Sequence, residues 1–228
     1  MVAELAPNVN PDEQIASGVV LVNGVARTNP ASFVSTTDTV SLPPPKVYRG
    51  QIKLGAALDA FRVDVAGRVA MDAGASVGGF VTVLLERGVA RVYAVEVGYG
   101  QLLGSLRQDP RVVNLERTNV GVLNRTLVPD AIDVVTLDLG YLALALGVPQ
   151  LNAVTIAPSA DLIALVKPVA ELGLREPPTD PDDLVAALAA ACDGIKGAGW
   201  NVVATMDSPI RGAKGAIEML IHAKRMPS

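Results

Sequence analysis

The stretch Val69 to Val81 reads VAMDAGASVGGFV: an apolar run, then Asp72, Gly74, Ser76, Gly78 and Gly79, then a second apolar run. Glycines at such positions let a chain turn tightly and approach a ligand closely, and the free amides of a following helix start can bond it. The next apolar run ends at Glu96, 24 residues after Asp72. That is about where an acidic residue holds ribose hydroxyls in dinucleotide-binding folds. The order G-x-G-x-x-G is absent, which argues against NAD, and no G-x-x-x-x-G-K-[ST] is present for ATP. These residues point to S-adenosylmethionine as the ligand. Asp72, Gly74, Ser76, Gly78 and Gly79 would surround it and Glu96 would hold its ribose, while Thr118 and Asn119, after the third strand, would meet its adenine edge.

A turn of this kind needs strands and helices in alternation, and from Gly50 onward the pattern supplies them. Strands are predicted at Val69–Asp72, Val92–Glu96, Val112–Leu115, Ala131–Leu137, Ala160–Val166, Trp200–Met206 and Ile217–Ala223. Helices are predicted at Leu54–Phe61, Gly78–Arg87, Gln101–Gln108 and Asp180–Ala198, the last with an acidic start that suits the helix dipole, and residues 140–157 read as helix or loop. Near-continuous Val, Ala and Leu runs indicate a mostly parallel sheet covered on both faces. Before it, residues 19–42 read as a small β module with a hairpin signal at Asn23-Gly24. The Pro-rich segment SLPPPKVYR (Ser41–Arg49) separates the two. The expected division is residues 1–47 and 48–228.

The chain has 228 residues, half of them apolar, 18% charged and 4% aromatic, which excludes extensive disorder. No apolar run approaches the roughly 18 to 20 residues of a membrane crossing, and the acidic start, without a basic end or apolar run, is no signal peptide; a cytoplasmic protein is expected. One cysteine, Cys192, and one histidine, His222, leave no disulfide and no zinc set; His222 reads as a satisfied core or edge histidine and Cys192 as a packing residue. Arg87, Arg91, Arg107, Arg111, Arg117 and Arg125, interleaved with Glu86, Asp109 and Glu116, read as a solvated face.

Several stretches in order, Arg49-Gly50 with Lys53-Leu54, DAGASVGGF, VYAVEVGYGQL, LRQDPRV, LERTN, LVKP and SPIRG, closely resemble the haemolysin-like TlyA family of FtsJ-type methyltransferases. The resemblance covers residues 48–228. It implies a class I, Rossmann-like α/β methyltransferase fold with a seven-stranded sheet whose last strand is antiparallel, and S-adenosylmethionine as cofactor. It also implies a catalytic set Lys53, Asp138, Lys167 and Glu218. In the predicted elements Lys53 precedes a helix, Asp138 and Lys167 end strands, and Glu218 starts the last strand, so all four sit where side chains converge on a crevice. Two lysines brought close together lower each other's pKa, which would let Lys167 act as general base.

Relatives of this kind carry an RNA-binding module with an Arg-rich helical half. Here SGVVLVNG (Ser17–Gly24) matches its β half, but VAELAPNVNPDEQI in place of the helical half holds no Lys or Arg. Asp138-Leu139-Gly140-Tyr141 and Pro168-Val169-Ala170-Glu171 replace the family's more polar or aromatic acceptor side, leaving Tyr141, Leu142 and Val169 as an apolar wall. With a net charge of −4, nothing global draws the protein to a phosphate backbone. The acceptor expected on these grounds is a small, fairly apolar metabolite methylated at a hydroxyl, with RNA disfavoured, no membrane partner, and the β module as a lid or homodimer contact. The second reading is ribose 2′-O-methylation of ribosomal RNA. The third, a non-catalytic or haemolytic protein, lacks an amphipathic membrane-seeking helix to support it.

Overall fold

A computed structural model describes residues 10–16, 18–42, 47–140 and 142–226. The chain forms two compact units, Met1–Val47 and Tyr48–Ser228. In the first, helix α1 (Pro11–Ala16) precedes strands β1 (Leu21–Val22), β2 (Val25–Ala26) and β3 (Val40–Ser41). These form an antiparallel sheet in the order β2-β1-β3. Asn23 and Gly24 both have positive φ, 51° and 77°, the combination a two-residue hairpin turn requires and the reason Asn-Gly marks one. The Asn23 side chain also donates to Asp38 Oδ1 at 2.8 Å and accepts from the Thr39 amide at 2.9 Å, fixing the return strand. The acidic stretch at the start holds one helical turn and a half, α1, where no helix was expected; Asn10 Oδ1 caps it by accepting from Asp12 N at 3.0 Å. Of the Pro-rich connector, residues 43–46 lie outside the described residues.

The second unit holds α2 (Arg49–Phe61), β4 (Val69–Ala73), α3 (Gly79–Glu86), β5 (Arg91–Val95), α4 (Gly104–Gln108), β6 (Val112–Leu115) and β7 (Ile132–Leu137). It continues with α5 (Leu144–Gly147), β8 (Ile156–Val166), α6 (Pro168–Glu171), α7 (Pro181–Gly197), β9 (Trp200–Asp207) and β10 (Met219–Arg225). The seven strands lie in the order β6-β5-β4-β7-β8-β10-β9. All are parallel except β10, which runs antiparallel to both β8 and β9. This is the class I, Rossmann-like α/β fold.

Alternation along the strands builds two cores. Ala70, Val92, Ala94, Ile163, Leu165 and Leu220 pack on one face with Leu54 and Leu58 of α2 and Phe80 and Leu84 of α3. Met71, Tyr93, Val95, Leu162, Ala164 and Ile221 pack on the other with Leu144 of α5 and Ala191 and Ile195 of α7. Burial on both faces is why these strands read as continuous apolar runs. Helix α7 begins at Pro181, with the Asp180 side chain accepting from Asp182 N, and Gly194 lets it cross α5 at Ala145, where a Cβ would meet Ala145 Cα at 2.4 Å.

Of the boundaries that differ from expectation, three bear on the site. Helix α2 starts at Arg49 rather than Leu54, because Gln51 Oε1 caps the Tyr48 amide at 2.8 Å and Gly50 allows close crossing with α3; a Cβ on Gly50 would lie 3.2 Å from Gly79 Cα. Lys53 therefore lies within this helix, not before it. Strand β8 starts at Ile156 rather than Ala160, and the pairing with β7 slips between Ile132 and Val134, which accommodates Pro158. Strand β10 begins at Met219, so Glu218 ends the loop before it. Among the described residues no helix is long and apolar enough to cross a membrane.

Candidate active site

In an open parallel sheet ligands bind beyond the carboxyl ends of strands, where the strand order reverses; here that point lies between β4 and β7. Gly74 follows β4 with φ +92°, donating to Val95 O at 2.9 Å, and a Cβ there would sit 2.4 Å from Asp138 O. Only glycine fits, because the chain takes a left-handed conformation and the β7 end lies against it. Ser76 (φ +49°) and Gly78 (φ +97°) complete the turn before α3. Glu96, buried at the end of β5, accepts from Ser76 N at 2.9 Å and from Gly98 N at 2.7 Å. The carboxylate thus braces the glycine turn while each oxygen keeps a lone pair for a further donor.

A cleft of about 490 Å³ opens above this turn, and Lys53, Asp138, Lys167 and Glu218 all line it beside Gly74 and Ser76. The Lys53 ammonium donates to Glu218 Oε2 at 2.5 Å, with both residues buried. Lys167 forms an ion pair with Asp138, and both remain partly exposed. The expectation of two lysines acting on each other is replaced by two lysine–carboxylate pairs. Contiguous with the cleft is a second space of about 300 Å³ lined by Glu96, Gln101, Ser76 and again Asp138 and Lys167. The glycine turn, Glu96 and the set Lys53, Asp138, Lys167 and Glu218 therefore surround one continuous crevice.

Several residues that the sequence showed only as parts of motifs hold this arrangement. Glu218 fits only because residue 212 is glycine; a Cβ there would lie 2.2 Å from Glu218 Oε1. Arg49 Nη2 donates to Gly212 O at 3.1 Å and also to Arg211 O, fastening the loop between β9 and β10 to the start of α2. Glu171 accepts from Leu144 N with both oxygens, at 3.0 and 3.3 Å, and joins the segment after Lys167 to the segment after Asp138; burial raises its pKa. Arg49-Gly50 and SPIRG stood out as motifs, but their partners lie more than 160 positions apart.

Other expected site residues fall elsewhere. Asp72 is fully buried in β4 and lines neither space; it accepts from Thr136 Oγ1 at 2.6 Å, and burial pushes its carboxyl up to about 7. Thr118 donates to Glu116 O and Asn119 accepts from Gly121 N, so both side chains serve the local turn. Leu142 packs against the core. Val169 lines a separate cleft of about 210 Å³ that also contains Lys167 and Glu218. Tyr141 lies outside the described residues. The arginines divide: Arg87, Arg91 and Arg111 pair with Asp59, Asp130 and Asp109, while Arg117 stacks on Tyr99 at 3.9 Å. Glu116 instead accepts from the Gln101 and Leu102 amides.

Residues 46–225 match the FtsJ-like methyltransferase family. The 16S/23S rRNA (cytidine-2′-O)-methyltransferase TlyA of Mycobacterium tuberculosis is 39% identical, over 92% of this chain and 81% of its own. The 23S rRNA (cytidine-2′-O)-methyltransferase TlyA of Campylobacter jejuni is 28% identical over 77% and 70%. A solved hemolysin-like chain from Lactococcus lactis is 30% identical, with a TM-score of 0.74 over 78% of this chain and 88% of that one. These relatives overturn the expectation of a small apolar metabolite as acceptor with RNA disfavoured. Net charge failed as a guide because it sums every face of the molecule, whereas the cleft sets Arg49, Lys53 and Lys167 against only Asp138 and Glu218. By fold, motif order and these matches, the chain belongs to the FtsJ-like methyltransferases, among the TlyA and hemolysin homologues, and is an S-adenosylmethionine-dependent methyltransferase.

Proposed function

We propose that the chain methylates the 2′-hydroxyl of a ribose in ribosomal RNA. The observation that carries this reading is the convergence of Lys53, Asp138, Lys167 and Glu218 on one cleft beside the glycine turn, together with relatives named for that reaction. When bound, S-adenosylmethionine supplies an electrophilic methyl whose C–S bond breaks, the electron pair leaving with sulfur, as the new C–O bond forms. Gly74, Ser76, Gly78 and Gly79 would lie against it, and Glu96 would accept from its ribose hydroxyls.

Lys167, once it has released its proton to solvent and is a neutral amine, takes the proton from the attacking hydroxyl, and Asp138 holds the Lys167 amine in place. Lys53 and Glu218 form the buried wall of the same cleft and keep the acceptor ribose oriented. Such a transfer needs little beyond in-line placement and deprotonation. The test is incubation of purified ribosomal subunits with methyl-labelled cofactor, followed by nuclease digestion and nucleoside analysis. Label in a 2′-O-methylnucleoside is expected; label confined to bases, or to small molecules from a cell extract, would overturn the reading.

A further inference from the structure

The 210 Å³ cleft lies on the side of Lys167 away from the glycine turn, since none of residues 72–96 lines it. It shares Lys167, Ala213 and Glu218 with the larger cleft, so whatever occupies it has atoms beside the proton acceptor. Pro168, Val169 and Pro177 give it an apolar surface, and Arg175 and Lys214 complete it. Its volume is below the roughly 300 to 1,000 Å³ of drug-sized ligand pockets and suits a single base. Lys214 is held by Glu176 at 3.0 Å. Arg175 is exposed and makes no hydrogen bond or ion pair among the described residues, so its guanidinium is available at the edge of this cleft.

We propose that this cleft receives the acceptor nucleotide, its base against Pro168, Val169 and Pro177 and its phosphate on Arg175. The proposal rests on the RNA reading above and adds the residues that seat the acceptor. An apolar wall contacts a base without reading its edge, and a cation beside it supplies the backbone contact on which RNA affinity depends. A neutral, apolar metabolite would leave Arg175 without a counterpart.

Initial rates of methyl transfer to ribosomal subunits, measured at several salt concentrations, test it with Arg175→Ala, Arg175→Lys and Val169→Trp, alongside cofactor titration and melting of each variant. Arg175→Ala should raise KM for subunits about ten-fold with kcat nearly kept. It should also reduce the log-log salt slope by about 0.7, the contribution of one phosphate on a single strand. Arg175→Lys should restore the slope because it restores the charge. Val169→Trp, which fills the cleft, should lower turnover at least ten-fold while cofactor affinity and melting temperature stay unchanged. Wild-type KM and salt slope in Arg175→Ala, with wild-type protein labelling RNA normally, would overturn this assignment alone. Failure of the wild type to label any ribosomal RNA would remove the RNA reading and this assignment with it.

Discussion

Truncating Glu218 to alanine should destabilise the protein as well as inactivate it. Lys53 and Glu218 are 5% and 6% exposed and lie 2.5 Å apart, so each is the other's replacement for water. Removing the carboxylate leaves a buried ammonium without a partner, which costs about 3 to 5 kcal/mol. Set against a total stability of about 5 to 15 kcal/mol, that is a large fraction, and for a unit of this size it corresponds to a fall in Tm of roughly 6 to 20 °C. Urea and thermal melts of the wild type, Glu218→Ala, Lys53→Met and the double variant measure it. Because Lys53→Met removes the stranded charge, the double variant should lose less stability than the sum of the two single losses. Its turnover should stay low, since both tetrad members are gone. A Glu218→Ala loss below about 1 kcal/mol would show that water reaches the pair, and the argument from burial would fail.

Glu96→Ala should weaken cofactor affinity about ten-fold or more, since a charge-assisted hydrogen bond is worth about 1.5 to 3 kcal/mol; an unchanged dissociation constant by calorimetry would remove Glu96 from the ribose. Lys167→Met should lower turnover on the RNA acceptor by about 100-fold with cofactor binding kept, if the amine performs general-base work; near-normal turnover in single-turnover assays would exclude it. Asp161 is buried, which by itself would raise its pKa, but bonds from His222 at 2.7 Å and Arg68 at 2.8 Å hold it near 2 against an ordinary 3.8. A lowered folded-state pKa contributes stability above pH 3.8 that is lost as pH falls through 2, about 2 kcal/mol in full. The stability gap between wild type and Asp161→Leu should therefore narrow from pH 5 to pH 2, and a gap constant with pH would refute this assignment.

Much of the fold was legible along the chain because it is encoded locally. Asn23-Gly24 carries its own turn, Asp180-Pro181 its own helix start, and the apolar runs of β4, β5 and β7 could be buried only in a covered parallel sheet. The glycine turn was legible for the same reason, since Gly74 and Gly78 have backbone conformations that other residues reach only with strain. What the sequence could not disclose depends on neighbours distant in the chain. Lys53 and Glu218 meet only because Gly50 packs on α3 and Gly212 leaves room for the carboxylate. Asp72 is fully buried and accepts from Thr136 of the neighbouring strand, 64 positions away. The acceptor was misjudged from net charge for the same physical reason: the potential a substrate meets is set by the few charges facing it at short range, and the folded chain alone determines which those are.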